Sequence, residues 1–330
     1  MSQLPIIDLS RLSAGSSAQQ QIAAQLDQAC RDFGFFYLVG HGVPGEHVDS
    51  LLRLGRQFFA APLDQKLSIR MSQGGRAWRG YFQVGEELTS NRPDRKEGIY
   101  FGSELDETDA RVRAGLPLHG RNLFPATPDL KPAVLEYMDR LAALGHQLMQ
   151  LLAFGLGLEE NFFAAHYTGD PTLLFRIFNY PRTPQVDEGW GVGAHTDYGF
   201  LTLLKQDTVG GLQVRHRDAW LEVPDVPDSF VCNVGDMLER LTRGRYLSAL
   251  HRVRSSPHQD RISMALFFDP AFDAVLTPIE GIRADGVRPH TLVRWDDLDP
   301  HANQQTYGDY LLRKVGRVFP ELRAALVRSP

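Results

Sequence analysis

Apolar residues first fall at helical spacing within SAQQQIAAQLDQACRDF (17–33), at Ile22, Leu26, Ala29 and Phe33. The pattern then changes to FFYLVG (35–40), a continuous apolar run of strand length, followed by the turn residues HGVPG (41–45). Val48, Leu51, Leu52, Leu54, Phe58 and Phe59 predict a second amphipathic helix. From 72 to 127, Gly, Arg, Pro and scattered aromatics keep no period, which predicts loops and short strands of the kind that often carry function. The most regular helical stretch is 130–157, ended by Gly155 and Gly157. Between 172 and 277 the β-type runs TLLFRIFNY, FLTLLKQ, GLQVRH, AWLEV, SFVCNVGD, HRVRS and RISMALFF recur about every ten residues, the spacing of an antiparallel sandwich or barrel. QQTYGDYLLRKVG (304–316) predicts a closing helix.

Composition narrows the class. The 330 residues can bury a sizeable core, and 43% hydrophobic with 23% charged residues is ordinary for a soluble globular protein. A net charge of −5 offers no basic footprint for nucleic acid or an anionic membrane. Cys30 and Cys232 stand alone, so neither a disulfide framework nor a CxxC motif can form, and a reducing cytoplasmic setting is expected. The first residues, MSQLPIIDLS, lack the plan of a signal peptide, and the apolar stretch near 151–158 is too short to span a bilayer. GK[ST], GxSxG and HExxH are absent, and GVG (191–193) lacks the third glycine of a dinucleotide fingerprint.

Candidate chemistry centres on histidine and aspartate. The sequence contains four HxD triplets, beginning at His47, His195, His216 and His258. The first opens a helix, where i and i+2 diverge, and the last two fall in turns. His195-Thr196-Asp197 lies in a β-patterned stretch; if it is extended, the imidazole and the carboxylate share a face and can converge on one ion. His251, in SALHRVRS, supplies a third donor. Two imidazoles and one carboxylate on one octahedral face leave positions open, the ligand set of non-haem Fe(II) oxygenases rather than of structural zinc. Ten residues later Arg261 and Ser263 share a strand face, a guanidinium and a hydroxyl suited to the distal carboxylate of a dicarboxylic keto acid.

These segments resemble a known family. GVGAHTDYGFLTLLKQDTVGGLQV, NVGDMLERLTRGRYLSALHRV and RISMALFFDP are similar to the 2-oxoglutarate- and Fe(II)-dependent oxygenases of the isopenicillin N synthase-like superfamily, as are the earlier PIIDLS, RDFGFFYLVGHGVP and RPDRKEGIYFG. The resemblance implies a mainly β fold with added helices, built on a double-stranded β-helix (jelly-roll) core with an N-terminal α/β region packed around it. It implies His195, Asp197 and His251 as iron ligands, Arg261 and Ser263 as the 2-oxoglutarate anchor, and Tyr180 of FNYP beside the cosubstrate. Phe178 stands where many plant relatives have asparagine, and Arg243 replaces the asparagine of the family's TNG turn. The expected organisation is an N-terminal oxygenase region (1–125), a helical spacer (126–168), the Fe(II)/2-oxoglutarate core (169–277) and a C-terminal extension with a helix (278–330).

The expected activity is oxidation of a small organic metabolite, usually hydroxylation, coupled to conversion of 2-oxoglutarate and O2 into succinate and CO2. Two alternatives stand beside it: an Fe(II) oxidase that cyclises or desaturates its substrate without 2-oxoglutarate, and a jelly-roll binding module without turnover. Arg79, Tyr81, Tyr100, Arg176 and Phe268 are candidates for the substrate pocket, because the aperiodic segment and the strand ends must border the barrel mouth. Asn233 and Asp236 of NVGD are expected to serve their own turn, and His41 likewise. No motif specifies an oligomeric state.

Overall fold

The structure is a computed structural model that describes residues 3–89, 91–183, 190–283, 305–322 and 324. Of the C-terminal extension expected over 278–330, residues 284–304, 323 and 325–330 lie outside the described residues, as does the first residue of the expected 304–316 helix. The strands are β1 (Ile6–Asp8), β2 (Phe35–Val39), β3 (Gly80–Phe82), β4 (Leu88–Thr89), β5 (Arg92–Pro93), β6 (Glu97–Gly102), β7 (Thr172–Tyr180), β8 (Trp190–His195), β9 (Leu201–Gln206), β10 (Leu212–His216), β11 (Ala219–Glu222), β12 (Phe230–Val234), β13 (His251–Arg254) and β14 (Arg261–Asp269). The helices are α1 (Ser16–Asp32), α2 (Gly45–Phe59), α3 (Leu63–Leu67), α4 (Ala110–Arg113), α5 (Leu130–Gly155), α6 (Asp236–Leu241) and α7 (Tyr307–Val318).

Two sheets face each other as a jelly roll. The major sheet runs β1-β2-β12-β9-β14-β7-β6-β3 and the minor sheet β11-β10-β13-β8. The chain before the core therefore does more than surround it, because β1 and β2 extend one edge of the major sheet and β6 and β3 the other. Antiparallel pairing of β14 with β7 sets Arg261 opposite Tyr180, Ser263 opposite Phe178, and Ala265 opposite Arg176. In the minor sheet, β13 sets His251 opposite His195 of β8.

Helices cover the outer face of the major sheet. The apolar stripes read from the sequence become buried stripes, with Ile22, Leu26 and Cys30 on α1 and Val48, Leu51, Leu52 and Phe59 on α2. The long helix α5 crosses beneath β14, where a Cβ at Gly145 would overlap the Phe268 ring. Both cysteines are buried and free. Helix α7 begins with reciprocal hydrogen bonds: the Asp309 backbone N–H donates to Thr306 Oγ1 at 3.1 Å and the Thr306 hydroxyl donates to Asp309 Oδ2 at 2.8 Å. Among the described residues no helix is long and apolar enough to cross a membrane.

Irregular points also have local causes. Arg243 has φ 53°, in the left-handed region where asparagine is better tolerated than arginine, so the residue that departs from TNG sits in a backbone conformation that disfavours it. The His216 triplet lies at the β10–β11 hairpin, where Arg217 has φ 52° and the His216 ring stacks on Phe33 at 4.3 Å. His47 lies on α2 with Nδ1 3.2 Å from Glu136 and belongs to no metal-competent cluster among the described residues.

Candidate metal centre

His195 ends β8, His251 begins β13 directly across from it, and Asp197 follows two residues after the end of β8. One donor atom from each lies within 4.8 Å of the other two, and this is the metal-competent cluster found among the described residues. The Asp197 Oδ1 atom is 3.9 Å from His195 Nε2 and 3.7 Å from His251 Nε2.

Surrounding hydrogen bonds orient all three groups. Nδ1 of His195 faces the Gly193 carbonyl at 2.9 Å and Nδ1 of His251 faces the Ala249 carbonyl at 3.3 Å. Those carbonyls can only accept, so each Nδ1 carries the proton and each Nε2 keeps its lone pair for a metal. Thr202 Oγ1 and Asn233 Nδ2 donate to Asp197 Oδ2 at 2.5 and 2.7 Å, which leaves Oδ1 free. Burial, then the proximity of His251, pushes the His195 pKa down and keeps its ring neutral. Burial opposes ionisation of Asp197, but the bonds donated by Thr202 and Asn233 favour it, and the carboxyl is held below its usual range. Two imidazoles and one carboxylate with three open positions fit ferrous iron.

The cavity over this triad lies between the sheets. Arg261, Ser263, Ala265, Phe267 and Asp269 all line it, as alternation along β14 requires. Arg261 is 1% exposed, with Nη2 3.4 Å from Gln206 Oε1 and its guanidinium carbon 4.8 Å from the centre of the Tyr180 ring. Its Nε and Nη1 are buried without a partner, as expected of a fork shaped for a carboxylate. Tyr180 and Arg176 also line the cavity, and Phe178 does so with its ring 5.0 Å from Lys96 Nζ.

Four of the expected pocket residues sit elsewhere. Phe268 has the opposite parity to Arg261 and packs outward against Gly145 and the His146 ring, so Phe267 is the pocket aromatic. Arg79 is buried, but Nη1 donates to the carbonyls of Ser103 and Gly120 and Nη2 to that of Leu118, so it ties down the 103–122 loop. The Tyr81 hydroxyl donates to Glu97 Oε2 at 2.6 Å, beside the Lys66–Glu97 ion pair. Tyr100 lies behind Arg176 as its support, the guanidinium carbon being 4.1 Å from its ring centre.

Other contributors lacked a recognisable signal. Asn233 belongs to β12 rather than to a self-bonded turn, and its side chain reaches Asp197. Asp236 accepts from the hydroxyls of Ser248 and Tyr310, joining α6 to α7. Glu87, Thr89 and Lys96 come from the aperiodic segment, and Leu311 comes from α7. The parity that pairs Arg261 with Ser263 could have found Phe267; nothing periodic marks Glu87 or Lys96.

Comparison with known proteins agrees with this geometry. Residues 4–127 match the family described as non-haem dioxygenase in morphine synthesis N-terminal, and residues 161–270 match the 2OG-Fe(II) oxygenase superfamily. A probable iron/ascorbate oxidoreductase of Dictyostelium discoideum is 43% identical, covering 97% of this chain and 96% of that protein. A homoarginine-6-hydroxylase of Arabidopsis thaliana is 36% identical over 84% of this chain and 87% of its own. The crystal structure of a full-length Neurospora crassa protein in complex with alpha-KG, which is 2-oxoglutarate, superposes with a TM-score of 0.79 at 25% identity, covering 95% of each chain. Since the second of the matched regions holds both the triad and the orphaned guanidinium, and the likeness runs nearly end to end, the chain belongs to the 2OG-Fe(II) oxygenase superfamily and is a non-haem iron oxidoreductase.

Proposed function

We propose that His195, Asp197 and His251 ligate Fe(II), that Arg261 and Ser263 hold the far carboxylate of 2-oxoglutarate beside Tyr180, and that the enzyme hydroxylates a small organic metabolite. The observation that carries this reading is the pair of unpartnered nitrogens on buried Arg261, on the strand face that looks into the cavity above the triad. Bound iron and 2-oxoglutarate supply the oxidant, since decarboxylation to succinate and CO2 consumes one oxygen atom of O2 and leaves the other for the substrate. The chain's own residues bind and orient. Thr202 and Asn233 fix which oxygen of Asp197 faces the metal, and the Gly193 and Ala249 carbonyls fix both imidazole tautomers. Phe35, Phe178, Val192, Leu204 and Phe267 furnish apolar walls that exclude water from the reacting centre.

A metabolite library screened for substrate-stimulated succinate release tests the proposal. Oxidised product should appear in step with succinate. Substrate oxidation without succinate would assign the oxidase chemistry instead, and absence of a visible charge-transfer band on anaerobic addition of Fe(II) and 2-oxoglutarate would assign a binding module.

A further inference from the structure

The residues lining the cavity contain four buried side-chain atoms without a hydrogen-bond partner: Arg261 Nε and Nη1, Arg176 Nε, and Glu87 Oε2. The first two are accounted for by 2-oxoglutarate in the proposed function, on which this inference rests. The other two are a cationic donor and an anionic acceptor. The side chains of Arg176 and Glu87 are only 11% and 5% exposed, and their closest charged atoms, Nη1 and Oε1, are 3.8 Å apart, an ion pair too long for a hydrogen bond.

Both groups are held rigidly. The Arg176 guanidinium carbon lies 4.1 Å from the Tyr100 ring centre and 4.7 Å from that of Phe267, and Glu87 Oε1 accepts the Tyr100 hydroxyl at 2.6 Å. Glu87 Oε2 is ion-paired with Lys96 Nζ at 2.9 Å, an ammonium it shares with Asp94 Oδ2 at 2.6 Å, and as a carboxylate oxygen it can accept from a second donor as well. Around this ion pair Glu87 and Asp94 against Lys96 and Arg176 sum to zero formal charge, and burial pushes Asp269, farther along the wall, up to about 7 and so toward its neutral form. A ligand with only a carboxylate or only an ammonium would leave this buried site charged, whereas a ligand with both adds no net charge and meets both atoms.

We infer that the primary substrate is a zwitterion of the α-amino acid type, its carboxylate held by Arg176 and its ammonium by Glu87. An aromatic-clamped guanidinium is preorganised for a carboxylate, so little ordering cost remains on binding.

The test titrates the anaerobic protein with Fe(II) and 2-oxoglutarate in place, reading perturbation of the visible band and, in air, stimulation of succinate release. The probes are a panel of free α-amino acids, each with its N-acetyl derivative and its decarboxylated amine. At least one free amino acid should perturb the band and stimulate turnover, with its two derivatives about tenfold weaker or worse, because each leaves a buried charge unpaired. Arg176→Met should remove that response and Arg176→Lys should restore part of it. If the band forms but no amino acid perturbs it, or an N-acetyl derivative binds as well as its parent, the inference is overturned while the oxygenase reading stands. If the band does not form, it is the oxygenase reading that fails.

Discussion

Asn233 Nδ2 donates a 2.7 Å hydrogen bond to Asp197 Oδ2, and with the Thr202 hydroxyl it leaves Oδ1 as the oxygen facing both histidines. Removing it frees the carboxylate to rotate. Asn233→Ala should therefore weaken Fe(II) binding about 10- to 100-fold in an anaerobic titration, the usual effect of losing such a support. Unchanged affinity would show that Thr202 alone orients Asp197.

The 2-oxoglutarate anchor should separate from the metal site. Arg261 is held by one long bond to Gln206 and by the Tyr180 ring, and neither contact reaches the triad. Arg261→Met should raise the 2-oxoglutarate KM by about two orders of magnitude, the scale of losing a buried charge-assisted pair, while Fe(II) affinity holds. An unchanged KM would remove the role.

How far the sequence carries depends on periodicity. Strand β7 is legible to the residue, because TLLFRIFNY is an apolar run ended by FNYP, and β14 is legible because RISMALFF follows a turn. The triad is visible through order and spacing, and its geometry is not, because only the β8–β13 pairing brings His251 opposite His195. Phe268 is misplaced when a strand-end aromatic is named without applying the alternation that Arg261 and Ser263 already impose. Arg79 and Tyr81 are misplaced for another reason: a loop region has no period from which side-chain direction can be read. The same lack of period conceals Glu87 and Lys96, whose partners are set by tertiary contacts alone.

Asp269 sits in the cavity wall and accepts from the Tyr307 hydroxyl at 2.5 Å and the Phe200 N–H at 3.2 Å. Burial pushes its carboxyl up from 3.8 to about 7, against those two bonds. A folded-state pKa above the unfolded one gives a stability contribution that is full below the unfolded value and lost as pH rises through the folded value. Apoprotein carrying Asp269→Asn should thus gain on wild type between about pH 4 and pH 7.5, by at most about 4 kcal/mol, in denaturant midpoints measured across that range. A difference independent of pH would contradict the assignment.

Gly145 lies mid-helix in α5 against the Phe268 ring. An exposed Gly→Ala change in a helix stabilises by about 0.5–1 kcal/mol. Here the added methyl meets the ring, and Gly145→Ala should destabilise by about 1–3 kcal/mol in thermal or denaturant unfolding. A stabilised variant would show that the α5–β14 contact is loose.

The central claim, that this chain couples 2-oxoglutarate decarboxylation to oxidation at an Fe(II) held by Asp197 and two histidines, is tested most directly by counting oxidised product against succinate with a substrate that the library screen identifies. Wild-type protein with Fe(II), O2, 2-oxoglutarate and that substrate should form one oxidised product per succinate, and Asp197→Ala should release no succinate above background. Succinate from Asp197→Ala at the wild-type rate, or from iron-free wild type, would contradict the account.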